Sequence, residues 1–189
     1  SKKKNSIRFD NKKLNIISVG RFTDQKDQIT LLKALNIIKE KLNFRLLLVG
    51  RGQEESALRN YIKKNNLGDK IKIVKFTENP YNLIKSSDLF ILTSIYEGLP
   101  NVLLEAITLK KFVISSNCPT GPKEILMNGK AGYLFTPGDY KQLAKLIVYF
   151  KQKKTLLNKK INFAYSNLDR FDHIKNLQKY FKTIERLLY

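Results

Sequence analysis

Glu97 and Glu105 stand eight positions apart in the stretch Tyr96-Glu97-Gly98-Leu99-Pro100-Asn101-Val102-Leu103-Leu104-Glu105-Ala106. From Val102 to Leu109 the run is Val, Leu, Leu, Glu, Ala, Ile, Thr, Leu, so Glu105 is the only charge in an otherwise apolar helix. A carboxylate buried there without partners is costly enough to raise its own pKa and take up a proton. The residue therefore asks for a hydrogen-bonding task. Glu97 precedes Gly98-Leu99-Pro100, a tight-turn sequence, and Pro100 with Asn101 makes a good helix start. One carboxylate then sits just before a helix N-terminus and the other about a turn inside it. The free amides between them form an anion site. A ligand with hydroxyls at both ends and phosphates in the middle, which describes a nucleotide sugar, suits this arrangement. The bland alternatives are an exposed turn residue at Glu97 and a buried ion pair between Glu105 and a neighbouring Lys.

A pair of cations lies upstream, in Val19-Gly20-Arg21-Phe22-Thr23-Asp24-Gln25-Lys26-Asp27. The fork of Arg21 and the point charge of Lys26 together suit a diphosphate. Two solvated cations in a Lys-rich chain are the alternative. Val49-Gly50-Arg51-Gly52 follows the next apolar run, and its glycines permit close backbone approach. It lacks the third Gly and the acidic residue of a dinucleotide fingerprint. Cys118 has no His in its loop and reads as a packed residue, and His173 as structural. Glu124 is either a ligand contact or a helix cap. No His, Cys or carboxylate cluster has metal-ligand spacing.

These residues must be positioned by the elements between them. Asn15–Gly20, Phe44–Gly50, Ile71–Val74, Asp88–Leu92, Phe112–Ser115 and Tyr133–Phe135 read as strands. Between them, Ile29, Leu32, Leu35, Ile38 and Leu42 recur at helical spacing. Further helices are expected over Glu54–Asn65, about Tyr81–Lys85, from Asn101, about Gly121–Met127, Asp139–Phe150, about Leu156–Ser166 and Asp172–Leu188. Strict alternation implies an α/β fold: a Rossmann-like, doubly wound parallel sheet of about six strands, helices on both faces, with extra C-terminal helices. Ligands bind beyond the carboxyl ends of such strands, so the loops after Gly20, Gly50, Val74, Thr93 and Ser115 are the suspects.

Residues 1–189 read as a single domain, with no repeat and no low-complexity linker. One cysteine excludes a disulfide framework and points to a reducing, cytoplasmic setting. The longest apolar runs are strand-sized, far below the roughly 20 residues of a membrane span. No secretory signal is visible, and Ser1-Lys2-Lys3-Lys4 reads as a linker edge. The net charge of +20 has three readings: compositional drift of an AT-rich genome, attraction to an anionic membrane surface, or nucleic-acid binding. Nucleic acid fits least, because RNA binding wants Arg interleaved with aromatics and here Lys dominates. A functional charge would hold the chain peripherally at the inner membrane face.

The ordered set Val-Gly-Arg-x4-Lys (Val19 to Lys26), Leu-Val-Gly-x-Gly (Leu48 to Gly52), Ser-x2-Glu-Gly-Leu-Pro-x4-Glu-Ala (Ser94 to Ala106) and Gly-x-Leu (Gly132 to Leu134) resembles a known family. It is similar to the C-terminal, donor-binding half of retaining GT-B glycosyltransferases of family four. The match runs from about Asn15 to Phe150, and the tail from Phe171 resembles that family's final helices. The resemblance implies that Arg21 and Lys26, on the loop opened by Gly20, hold the donor diphosphate and neutralise the leaving group. It gives Glu105 the ribose hydroxyls and Glu97 the hydroxyls of the transferred sugar. Amides of the turn Gly98, Leu99, Pro100, Asn101, Val102 would face the sugar and distal phosphate, and the base would lie near Phe76 and Thr77.

The same resemblance implies a metal-independent hexosyltransferase without cofactors, retaining anomeric configuration by front-face attack. Family members often carry Gly-Gly where this chain has Asn117-Cys118-Pro119-Thr120-Gly121-Pro122. The Cys-Pro-x-Gly-Pro form resembles a subset using UDP-galactose, UDP-GalNAc or related donors, which favours a UDP-hexose or UDP-N-acetylhexosamine. Acceptor binding, to a glycan or lipid-linked sugar, would belong to an N-terminal lobe that does not fit within these residues, so the domain alone is expected to be inactive. A non-catalytic nucleotide-binding module and a basic membrane- or nucleic-acid-binding protein are the competing readings.

Overall fold

The computed structural model describes residues 12–77 and 79–188. The Ser1–Lys4 segment therefore lies outside the described residues. Strands and helices alternate as β1 (Leu14–Val19), α1 (Gln28–Ile38), β2 (Phe44–Val49), α2 (Glu55–Lys64), β3 (Ile71–Val74), α3 (Tyr81–Ser86), β4 (Leu89–Leu92) and α4 (Asn101–Thr108). They continue as β5 (Phe112–Ser116), α5 (Pro122–Ile125), β6 (Tyr133–Phe135), α6 (Tyr140–Lys153), α7 (Asn158–Ser166) and α8 (His173–Leu188). The six strands are all parallel, in the order β3-β2-β1-β4-β5-β6. This is the doubly wound sheet that the alternation predicts.

The chain winds outward from β1 in one direction through β2 and β3, then returns to the other side of β1 with β4. At this reversal, between β1 and β4, the connections leave for opposite faces of the sheet, and the carboxyl edge there is where ligands bind in open α/β sheets. Both faces of the sheet are covered, and side chains alternate between them. Ile16, Leu46, Leu48, Ile91 and Ile114 join the core beneath α1, α2 and α6. Ile17, Leu47, Phe90, Leu92 and Val113 join a second core with Leu103, Ala106 and Ile107 of α4. All four residues of β4 are buried, as a strand covered on two faces requires.

Several boundaries differ from the sequence reading, each for a local reason. Helix α6 runs three residues past Phe150, where the apolar period ends, because Lys151, Gln152 and Lys153 are helix formers with nothing to stop them. Helix α5 stops at Ile125 rather than near Met127, since Met127 and Asn128 adopt φ of 50° and 55°. Two short 3-10 turns, Asp24–Lys26 and Leu168–Phe171, lie in segments without a hydrophobic period. Helix α8 turns Ile174, Leu177, Tyr180 and Phe181 to solvent. No helix among the described residues is long and apolar enough to cross a membrane.

Candidate functional site

Gly20 extends the sheet by donating its N–H to the Val49 carbonyl (3.0 Å), and the chain then leaves β1 toward Arg21. The 3-10 turn Asp24–Lys26 swings the Lys26 stem back over Gly20. Asp27, at φ 44° and ψ 48°, ends that turn and caps α1 by accepting from the Thr30 N–H (3.3 Å) and hydroxyl (2.7 Å). The loops after β1 and β4 are fastened together. Ile95 N–H donates to the Gln25 carbonyl (2.8 Å), Gln25 Nε2 to the Tyr96 carbonyl (3.0 Å), and Thr93 Oγ1 to the Lys26 carbonyl (2.8 Å).

The fastening brings two distant charges into contact. Lys26 Nζ lies 2.5 Å from Glu97 Oε1, with side-chain exposures of 15 % and 7 %. The Ser94 hydroxyl donates to the same oxygen (2.5 Å). Glu97 is thus a nearly buried, ion-paired carboxylate rather than an exposed turn residue. The Thr120 hydroxyl donates to the Glu97 carbonyl. Gly121 (φ 79°) packs so tightly against the following turn that a Cβ there would lie 2.1 Å from the Gly98 carbonyl oxygen.

Beyond that turn α4 begins at Asn101, with Pro100 rather than Asn101 at the cap position and no side chain capping the end. Its first amides are not capped by any described side chain, and the helix dipole adds positive potential there. Glu105 lies a turn further on, partly buried, without a hydrogen-bond or ion-pair partner among the described residues. The ion pair with a lysine that the sequence left open is not formed. Burial pushes the Glu105 carboxyl above its ordinary pKa.

A cavity of about 700 Å³ gathers these groups. It is lined by the expected Gly20, Arg21, Lys26, Phe76, Thr77, Glu97, Leu99, Pro100, Asn101, Val102 and Glu105. Gly98 is not part of the lining, because its carbonyl is turned against Gly121. Val19, Arg51, Pro80 and Tyr81 line it unanticipated. Arg51 is a third cation, its guanidinium 5.4 Å from the Phe76 ring centroid. The signal for it was its place between Gly50 and Gly52 at the end of β2, a position that faces the ligand edge of the sheet. Gly50 fits only as glycine, since a Cβ would sit 1.9 Å from the Gly20 carbonyl oxygen.

The remaining reactive residues fall elsewhere. Cys118 is buried and its thiol is pushed up by burial, which keeps it protonated. Glu124 on α5 and His173 on α8 are exposed and outside the cavity. Among the described residues no group of three or more His, Cys, Asp or Glu is arranged to hold a metal ion.

Residues 1–167 match the model of a family described as glycosyl transferases group 1. An uncharacterized glycosyltransferase of Methanocaldococcus jannaschii is 39 % identical over 111 residues, 58 % of this chain and 27 % of the relative. A second relative is the Campylobacter jejuni N-acetylgalactosamine-N,N'-diacetylbacillosaminyl-diphospho-undecaprenol 4-alpha-N-acetylgalactosaminyltransferase. It is 28 % identical over 166 residues, 85 % of this chain and 43 % of that protein. The crystal structure of Anabaena HepE in complex with UDP superimposes with a TM-score of 0.83 at 24 % identity, over 92 % of this chain and 49 % of HepE. The chain thus spans between about a quarter and a half of the length of these proteins.

Proposed function

The chain belongs to the glycosyl transferases group 1 family, and we propose that it is the donor-binding part of a retaining hexosyltransferase that takes a UDP-sugar. One observation carries the reading. Arg21, Lys26 and Arg51 share a single cavity with the uncapped N-terminus of α4 and with two carboxylates, Glu97 and Glu105. Cations and amides suit a diphosphate, whereas carboxylates suit the hydroxyls on either side of it. Cleavage of the anomeric C–O bond develops negative charge on the departing diphosphate, and groups already aimed at that charge lower the barrier. Arg21 and Lys26 fill this role, Glu97 holds the transferred sugar and Glu105 the ribose.

UDP is favoured by the Cys-Pro-x-Gly-Pro segment at Cys118 to Pro122 and by the UDP in HepE, which shares the fold. Acceptor binding and turnover belong to a second lobe, consistent with relatives more than twice as long. No metal or cofactor enters this scheme.

Calorimetric titration of the chain with UDP, ADP and GDP tests the donor site. UDP is expected to bind most tightly. Hydroxyl donors stabilise the ionised form of Glu105, so binding lowers its raised pKa and releases a proton. Affinity should therefore fall as pH drops from neutrality to about pH 5, and Glu105→Gln should weaken binding and flatten that slope. Titration of the nucleotide phosphate itself is common to both proteins and cancels in the comparison. Absence of nucleotide binding, or equal slopes, contradicts the assignment.

The acceptor is a glycan or lipid-linked sugar, as the name of the Campylobacter relative suggests, at an anionic membrane face. The net charge of +20 supports peripheral attachment there. Vesicles rich in anionic lipid should pull the chain down at low salt and release it at high salt. No pelleting at low salt removes the membrane from the scheme.

A further inference from the structure

Helices α1 and α6 lie side by side on one face of the sheet, with the Lys33 ammonium 5.9 Å from the centre of the Tyr140 ring. Between them runs an open groove of about 570 Å³. Ile37, Val148 and Tyr149 line it, and Ile37 and Tyr149 remain 48 % and 47 % exposed. Lys41, Lys141 and Lys145 stand around these apolar groups. None of the three lysines has an ion-pair partner among the described residues, and no carboxylate lines the groove. Neither helix contains an acidic residue, in a chain that has 16. Glu40, just past α1, is exposed but lies outside the lining.

Exposed apolar side chains among unpaired ammonium groups ask for an anionic partner with an apolar interior. Protein interfaces favour Arg and are depleted in Lys, whose compact ammonium is strongly hydrated and costly to bury. Every cation of this groove is a lysine. A lysine stem lies along apolar surface while its ammonium reaches a phosphate, and a tyrosine ring suits the boundary between acyl chains and headgroups. An anionic lipid surface meets all of these demands.

The groove is also well placed for it. Lys154, just past α6, pairs with Asp88 (2.6 Å), which precedes β4, so α6 ends at the amino edge of the sheet. Helix α1 ends there too, since β2 follows it. The donor cavity is built at the carboxyl edge and shares no lining residue with the groove. We propose that this groove is the surface that seats the chain on an anionic membrane, with Ile37 and Tyr149 entering the lipid and Lys41, Lys141 and Lys145 meeting its phosphates. The proposal rests on peripheral membrane attachment and names the surface responsible.

The chain has no tryptophan, so Tyr149→Trp puts a lone reporter in the groove. Vesicles of phosphatidylcholine with phosphatidylglycerol should shift its emission to the blue, and brominated acyl chains should quench it. Lys41→Gln, Lys141→Gln and Lys145→Gln together should weaken partitioning about 10²-fold. Lys123→Gln, Lys130→Gln and Lys159→Gln remove the same charge from the exposed surface of the opposite face, and should cost less than about five-fold. Ile37→Ser, which alters no charge, should cost about five-fold. Pelleting with unchanged emission, or equal losses from the two lysine triples, makes attachment diffuse and overturns the groove alone. Absence of pelleting removes the membrane and the groove together. Emission that shifts with poly-glutamate and not with vesicles assigns the groove to an acidic protein segment and overturns the lipid surface.

Discussion

On the proposed two-lobed reading, Arg21→Ala and Lys26→Ala are each expected to lower turnover of the full-length protein by about 10²-fold or more, the scale of losing one preorganised electrostatic donor. Their effects on the fold should differ. Arg21 is exposed and pairs with no side chain among the described residues, so its loss should change stability by no more than about 0.5 kcal/mol. Lys26 is the cation of a nearly buried pair, and removing it strands Glu97 with only the Ser94 hydroxyl. Breaking one side of such a pair costs about 3 kcal/mol. That corresponds to a melting temperature lower by roughly 6–12 °C in a chain of this size. Lys26→Met combined with Glu97→Gln should recover much of the melting temperature and none of the turnover. Steady-state kinetics beside thermal unfolding separate the two roles, and wild-type turnover in both single variants would refute the diphosphate assignment.

Gly121→Ala is expected to be the most damaging substitution outside the cavity. The residue sits at φ 79°, where a side chain costs about 1–2 kcal/mol. The added carbon would also overlap the Gly98 carbonyl oxygen at 2.1 Å and the Pro100 ring at 2.5 Å. Overpacking of this kind adds about 1–3 kcal/mol, for a total of about 2–5 kcal/mol. Because the displaced turn carries the N-terminus of α4, UDP affinity should fall together with stability. Gly98→Ala, where a Cβ meets open space, serves as the control and should be nearly silent in thermal unfolding. Equal melting temperatures for the two variants would show that the turn is not braced from behind.

The fold was legible because period and punctuation agreed along most of the chain. Ile16 and Ile17 belong to opposite cores, as the twofold repeat of a strand requires, and β4 reads as continuous apolar sequence because both its faces are covered. Glu105 announced itself as a lone charge among apolar residues. The pairing of Lys26 with Glu97 was not legible, since 71 residues separate them and only the β1–β4 neighbourhood brings their loops together. Arg51 escaped because a cation between two glycines has no period, and its meaning comes from the strand end on which it stands. The turn at Asp24–Lys26 escaped for the same reason, being held by tertiary bonds rather than by an apolar face.

On the proposed donor reading, the salt link between Lys26 and Glu97 also bears on which anions the cavity ignores. With its ammonium already matched, Lys26 offers little to a stray inorganic anion, which would have to strip away a carboxylate and leave it unsolvated. A molecule carrying phosphate for the ammonium and hydroxyls for the carboxylate compensates both at once. On that reading, discrimination against free phosphate follows from the ion pair itself.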